Sequence, residues 1–132
     1  MACIGACVAM TQAPVVSLKE KIMAAGKPFV VDLNTRKEYQ RLVDPDHQSC
    51  GMKSGRVYLE PGSACGQHST EDREEVLVFL AGIGTLQIGQ DQQFPVGSGK
   101  IVYIPPRTLH NVVNSGEVPL VYIFCVAPAA AD

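Results

Sequence analysis

A chain of 132 residues is long enough for one domain with one hydrophobic core, and its 46% hydrophobic and 18% charged residues are typical of a globular protein rather than a disordered one. The formal charge of −2, with no run of Lys or Arg, argues against nucleic acid or an anionic membrane as a partner. No apolar stretch approaches the roughly 20 residues that a membrane-spanning helix needs.

Residues 1–16 are predicted to form a flexible N-terminus ahead of the folded domain. The opening is apolar but lacks the basic start and longer apolar core of a secretory signal, so we expect that the chain is not exported. Cys3 and Cys7 could bind metal or form a disulfide from one face of a helix, although two free thiols are the favoured interpretation. Five cysteines, an odd number at irregular spacing, argue against a disulfide framework and indicate a reducing, cytoplasmic setting.

A short helix is predicted over residues 17–25, SLKEKIMAA. Ser17 can cap its first turn, and Glu20 stands three residues later as the partner in a capping box. Gly26 followed by Pro28 ends the helix, because glycine suits the turn after a helix and proline cannot continue one. The fold is therefore expected to begin with a short helical segment.

Three segments follow before the main group of strands. FVVDL at 29–33 is rich in β-branched residues and predicts a strand. TRKEYQRLV at 35–43 has a spacing that allows a second short helix. DPDHQSCGMKSG at 44–55 has the composition of a loop.

From Arg56 onward, short β-branched and aromatic runs alternate with turn signals. The predicted strands cover residues 56–60, 67–70, 75–81, 84–89, 92–96, 100–104, 109–114 and 119–126, with 84–96 forming a hairpin. The chain also has 12 Gly and 9 Pro, which fall between these runs. So many short strands at close spacing predict an all-β sandwich or barrel.

Three side chains that can bind metal fall at positions that can point inward. Side chains alternate between the two faces of a strand, so Glu75 shares its face with Leu77 and His110 shares its face with Val112. An unpaired carboxylate on an apolar face is costly, and a metal ion would remove that cost. His68, Glu75 and His110 together suit a divalent ion such as Fe, Mn, Ni or Zn.

The spacing around the first histidine resembles a motif of the cupin superfamily, G-x5-H-x-H-x3,4-E-x6-G. Here Gly62, SACGQ, His68, Ser, Thr70, EDRE, Glu75, VLVFLA and Gly82 match every element but one. Thr70 stands where the motif has its second histidine.

The second block resembles the second cupin motif, G-x5-P-x-G-x2-H-x3-N. Gly99, KIVYI, Pro105, then His110, NVV and Asn114 match it, and Arg107 replaces its glycine. The turn at Arg107 must therefore avoid a strongly positive φ or tolerate strain.

The resemblance implies a double-stranded β-helix, or jelly-roll, cupin barrel with its core at about 54–126, inside a single domain of residues 17–132. It also implies that the metal would sit on His68, Glu75 and His110. Small cupins commonly dimerise by exchanging or pairing edge strands, so the resemblance implies a homodimer, with residues 29–33 as the expected interface element.

Further candidates surround this set. Thr70 itself or His47, if its loop folds over the barrel mouth, could complete the ligand set. Arg107 could clamp a carboxylate or phosphate, although a solvated turn residue is the favoured interpretation. Tyr58 and Tyr103 could line the barrel, although packing explains them at least as well.

Two classes of function stay open. In the first, the protein is a divalent-metal-dependent oxygenase or isomerase that acts on a small polar molecule. In the second, it is a non-catalytic module that binds or senses a metal or a small ligand. A purely structural barrel without metal is the third alternative.

Overall fold

The computed structural model describes Ser17 and residues 26–130, and the described part of the chain is all-β. Its strands are β1 (Gln40–Val43), β2 (Lys53–Leu59), β3 (His68–Ser69), β4 (Arg73–Ala81), β5 (Ile83–Ile88), β6 (Gln92–Gly97), β7 (Ile101–Ile104), β8 (Leu109–Val113) and β9 (Leu120–Pro128). The jelly-roll barrel expected from the sequence is confirmed.

The strands form two antiparallel sheets that share one core. The first sheet has the order β1-β2-β9-β4-β7 and the second the order β3-β8-β5-β6. Leu77 of β4, Leu86 of β5 and Val112 of β8 are each 1–2% exposed and belong to one apolar cluster, so inward side chains from both sheets meet.

The strand register gathers the chemically active residues at one end of the barrel. On β4, Glu75 pairs with Ile104 of β7 on one side and with Val126 of β9 on the other. In the other sheet, His68 pairs with His110. These pairs lie where β4 and β8 begin and β7 and β9 end, and we call this end the mouth of the barrel.

At the opposite end, the turn from β4 to β5 depends on glycine. Gly82 has a φ of 83°, in the left-handed region that favours glycine. A side chain there would also collide with the carbonyl oxygen of Pro119. The motif glycine at this position is therefore required both by backbone conformation and by close packing.

The predictions for the N-terminal segments differ from the structure. The helix predicted over 17–25 lies outside the described residues except for Ser17, as does the flexible N-terminus predicted over 1–16. The second helix, over 35–43, was wrong, because residues 40–43 pair with β2 as a strand. The strand over 29–33 was also wrong, since this segment joins neither sheet.

A buried arginine holds the segment that leads into β1. Arg56 is 2% exposed and donates to the Asn34 side chain at 2.8 Å and to the carbonyl oxygens of Arg36 and Glu38. Its Nε donates to Gln40 Oε1 at 3.4 Å. These four acceptors lie along residues 34–40, which we call the strap.

No helix among the described residues is long and apolar enough to cross a membrane. Cys65 and Cys125 are free thiols.

Candidate metal centre

The two mouth histidines are held in the same way. Nδ1 of His68 lies 2.8 Å from the Gly66 carbonyl oxygen, and Nδ1 of His110 lies 2.9 Å from the carbonyl oxygen of Thr108. A carbonyl can only accept, so each Nδ1 carries the proton and donates it. The Nε2 lone pair of each neutral ring is then available to another partner, which is the arrangement common in metal-binding histidines.

Glu75 completes a compact group of three donors. One ligand atom from each of His68, Glu75 and His110 lies within 4.8 Å of the other two. His110 is 1% exposed and Glu75 is 7% exposed, whereas His68 is exposed. The group is therefore closed toward the core and reached by solvent from the side of His68.

The contact between Glu75 and His110 is favourable only with a positive charge between the two side chains. Nε2 of His110 lies 3.0 Å from Oε2 of Glu75, yet this buried nitrogen lacks hydrogen-bond geometry with any described partner. A lone pair facing a carboxylate is repulsive unless a proton or a cation lies between them. The orphaned nitrogen and the mixed nitrogen and oxygen donors both fit a divalent metal ion.

The same contact changes the acidity of His110. Burial alone would lower the pKa of the imidazole. The interaction with Glu75 and the hydrogen bond to the Thr108 carbonyl outweigh burial, so the pKa of His110 is raised above its ordinary value. A cation is favoured at this position, whether it is a proton or a metal.

Thr70 connects the two turns at the mouth. Its hydroxyl donates to the Pro105 carbonyl oxygen at 2.6 Å and accepts from the Thr108 backbone N–H at 3.0 Å. Its own N–H donates to the carbonyl oxygen of Thr108 at 3.2 Å. The buried hydroxyl is thus engaged on both sides by the backbone, which gives Thr70 a structural role where the family motif has a histidine.

Replacing Thr70 by valine, which keeps the shape but removes the hydroxyl, is expected to destabilise the protein by about 1–3 kcal/mol. Metal affinity is expected to stay within about twofold, because the hydroxyl is already committed to backbone partners. Denaturant unfolding and metal titration measure the two effects. Loss of metal binding with unchanged stability would instead identify Thr70 as a ligand.

His47 lies apart from the three donors. Its side chain is 82% exposed, and its Nδ1 lies 3.5 Å from Oδ1 of Asp44 in the loop between β1 and β2. Although this loop is at the mouth, the group of donors within reach of one another consists of His68, Glu75 and His110. The structure gives His47 no position in the cluster.

Arg107 occupies the strained turn that the sequence indicated. Its φ is 54°, in the left-handed region, and its N–H donates to the carbonyl oxygen of Glu71 at 2.7 Å. Glu71 also has a φ of 54°, so two non-glycine residues in rare conformations face each other across the mouth. The Arg107 side chain is exposed.

Replacing Arg107 by glycine is expected to stabilise the protein by about 0.5–1 kcal/mol, because glycine adopts positive φ without strain. Arg107→Ala keeps the strained Cβ and should give no such gain, and it should leave metal binding intact. Thermal unfolding of both variants makes the comparison. Equal stability changes in the two variants would show that the turn stores no strain.

The tyrosine candidates lie outside the donor group. Tyr103 is 58% exposed and donates to Glu74 Oε2 at 3.0 Å, an interaction that raises the pKa of the phenol. Tyr58 alternates with the inward Val57 and so faces away from the core. Tyr122 belongs to the core cluster.

Cys65 is buried close to the site. Its Sγ accepts a hydrogen bond from the Val112 N–H at 3.3 Å. Burial raises the pKa of the thiol, so the neutral, unreactive form is favoured.

Two residues that the sequence did not single out also reach the mouth. Tyr39 stacks on Phe124 with ring centroids 6.1 Å apart, and its ring occupies the space where a Gly55 side chain would be. Because a helix was predicted over residues 35–43, Tyr39 was not recognised as a residue of this region. Lys53, at the start of β2, pairs with Val126 in the same row as Glu75. Because alternate residues of a strand share a face, counting back from the inward Val57 would have placed Lys53 on the inner face.

The described fold agrees with comparisons to known proteins. A family model described as a cupin domain matches residues 55–126. A solved structure of a Cupin 2 conserved barrel domain protein from Salinispora arenicola superposes with a TM-score of 0.64 at 22% identity, covering 79% of this chain and 92% of that one. At this identity the structural likeness shows the fold alone.

Curated relatives that carry a functional name include two from Pyrococcus species. A glucose-6-phosphate isomerase of Pyrococcus horikoshii is 34% identical over an alignment that covers 79% of this chain and 57% of that protein. A glucose-6-phosphate isomerase of Pyrococcus abyssi is 28% identical, with 85% and 61% covered. The chain therefore spans only 57–61% of the length of these relatives.

Proposed function

Since the chain belongs to the cupin family, we propose that it binds a divalent metal ion through His68, Glu75 and His110 and isomerises a small polar molecule. The observation that carries the metal proposal is the buried Nε2 of His110, which faces a carboxylate oxygen at 3.0 Å without a hydrogen bond to any described residue. Fe, Mn, Ni and Zn all suit two imidazoles and one carboxylate.

The chain's own residues set the conditions for such a reaction. The Gly66 and Thr108 carbonyls fix both imidazole rings, so the donors need no reorganisation. Apolar side chains, including those of Leu77 and Val112, close the site from below and exclude water. A bound divalent ion would supply a Lewis acid for a substrate oxygen. Substrate would enter past His68, the exposed member of the group.

The names of the two Pyrococcus relatives favour an isomerase over an oxygenase. Their name refers to an aldose–ketose isomerisation, which moves a hydrogen between a hydroxyl-bearing carbon and the neighbouring carbonyl carbon. The substrate of the proposed reaction is therefore a small hydroxylated carbonyl compound.

A non-catalytic binding module is the second candidate. Thr70 fixes two turns with the hydroxyl that stands in the place of a fourth donor, and the donor group of the described chain has only three members. Fewer protein donors lower the metal affinity, which suits a module that binds or senses a metal reversibly.

Metal analysis followed by an activity assay tests the proposal. Protein purified without added metal should contain a divalent ion, and adding Mn, Fe, Ni or Zn to chelated protein should raise its unfolding temperature. Saturation at 100 times Kd corresponds to about 2.7 kcal/mol of stabilisation. Conversion of aldose to ketose phosphates would identify an isomerase, and metal binding without turnover would identify the binding module. Metal in under about a tenth of the chains, with no stabilisation by any of the four ions, would contradict both.

We also propose that two copies associate through residues 29–33. This segment precedes the edge strand β1 and presents Phe29, Val30 and Leu33 at 44%, 94% and 46% exposure. An apolar, extended segment beside a sheet edge is a surface that proteins normally cover. A second copy would cover this surface, since each protomer would cover the segment of the other.

A cytoplasmic location stays a prediction from the cysteine pattern.

Val30→Glu is expected to weaken the dimer about tenfold or more, because a charge would enter an apolar contact. Val118→Glu is the matched control, since Val118 is 56% exposed but lies in the loop before β9. Light scattering during size exclusion gives the mass of each variant. A monomeric wild type, or equal effects of the two substitutions, would contradict the proposal.

A further inference from the structure

Lys53 stands in the same row of the sheet as the metal-ligand candidate Glu75. Lys53 pairs with Val126, and Val126 pairs with Glu75 on its other side. Alternation places the Lys53 side chain on the face of Val57, a core residue. Two strand spacings separate Lys53 from Glu75, which is about 10 Å between the Cα atoms.

The ammonium of Lys53 has no counter-charge among the residues that the structure describes. Lys53 is partly buried, and within the described part of the chain its side chain takes part in neither an ion pair nor a hydrogen bond. By contrast, Lys37 is paired with Glu60 at 3.1 Å. Arg73 and Arg107, two further cations near the mouth, are exposed. A partly buried cation without a partner is the less common case and needs an explanation.

Aromatic rings form the surface beside Lys53. Two residues further along β2, on the same face, Gly55 pairs with Phe124. The Tyr39 ring covers Gly55 and stacks on Phe124. Phe124 is a diagonal neighbour of Glu75, on the order of 7–8 Å away. The space between the ammonium and the donor group therefore has an apolar wall, which strengthens the attraction of the ammonium for an anion.

We propose that Lys53 binds the anionic group, a carboxylate or a phosphate, of the molecule whose polar oxygens reach His68, Glu75 and His110. The part concerning the donor group rests on the proposed function, whereas the anion site stands on Lys53 alone. The substrate class is then an anionic hydroxy or carbonyl compound, held at one end by Lys53 and along its length by the Tyr39 and Phe124 rings.

Calorimetric titration with inorganic phosphate and with succinate tests the proposal, using the protein as purified and after chelation. We expect one of the two anions to bind the wild type in both forms, and the anion that binds distinguishes phosphate from carboxylate ligands. Lys53→Gln should bind it about 10- to 100-fold more weakly, the range for loss of a charged hydrogen-bond partner. Lys53→Arg should retain binding, and Lys100→Gln, a matched loss of charge at the opposite end of β7, should have no effect.

Metal content, measured in the same samples, separates the two proposals. Unchanged metal content in Lys53→Gln with weakened anion binding supports the anion site. Wild-type affinity in Lys53→Gln, or binding of neither anion by the wild type, overturns it without affecting the metal proposal. Loss of anion binding on chelation, with Lys53→Gln unchanged, also overturns it, because the anion would then be bound by metal. Anion binding that needs Lys53 in a protein without metal affinity would instead overturn the proposed function alone.

Discussion

Replacing His110 by alanine is expected to lower metal affinity by more than about 100-fold. Loss of a residue that only orients a metal ligand already costs about 10- to 100-fold, and His110 would be a ligand itself. Its Nε2 is buried, faces Glu75 at 3.0 Å and makes no hydrogen bond within residues 26–130. Without this imidazole, Glu75 and His68 remain as two donors, too few to compete with water for the ion. Elemental analysis and metal titration measure the loss.

A second variant keeps this test independent of folding. His110 is 1% exposed, so the alanine leaves a cavity that also destabilises the core. His68 is exposed, and His68→Ala removes a proposed ligand with little effect on packing. Both variants should lose metal, while Arg107→Ala should keep it. Full metal content in a folded His110→Ala protein would refute the ligand assignment.

The strands after Arg56 could be predicted because their pattern is local. Inward and outward residues alternate, and turn residues separate the runs, so strand positions follow from neighbours in sequence. The approach of His68, Glu75 and His110 followed from the same alternation together with motif spacing. Alternation gives the face of a side chain, and the barrel then brings the inner faces together.

The strap could not be predicted in this way. Residues 35–43 have a helix-compatible spacing, but the pairing of residues 40–43 with β2 and the contacts of Tyr39 with Gly55 and Phe124 outweigh local preference. The role of the Thr70 hydroxyl was also hidden, because its partners Pro105 and Thr108 are 35 and 38 residues away. Both features depend on contacts that only the folded chain creates.

Replacing Arg56 by alanine is expected to destabilise the protein by about 3–5 kcal/mol, a large part of the 5–15 kcal/mol typical of a domain. The guanidinium is 2% exposed and is neutralised by oxygen dipoles of the strap rather than by a carboxylate among the described residues. Its loss removes every one of these bonds at once, although Asn34 Oδ1 and Gln40 Oε1 keep the backbone N–H groups of Arg36 and Asn34 as donors. Denaturant unfolding measures the change in free energy, and hydrogen exchange over residues 34–40 should show faster opening.

Two controls test whether the hydrogen bonds of the Arg56 guanidinium cause the loss of stability. Arg36 contributes only its carbonyl oxygen to Arg56, and its exposed side chain can be removed in Arg36→Ala with a change within about 0.5 kcal/mol. Arg56→Lys keeps the charge, but an ammonium is a single point that cannot reach acceptors spread from Asn34 to Gln40, so it should restore less than half of the lost stability. Full rescue by lysine would mean that charge alone holds the strap. Because the strap carries Tyr39 to its position against Gly55, a detached strap should also weaken anion binding at Lys53, which connects the stability of the fold to the proposed binding site.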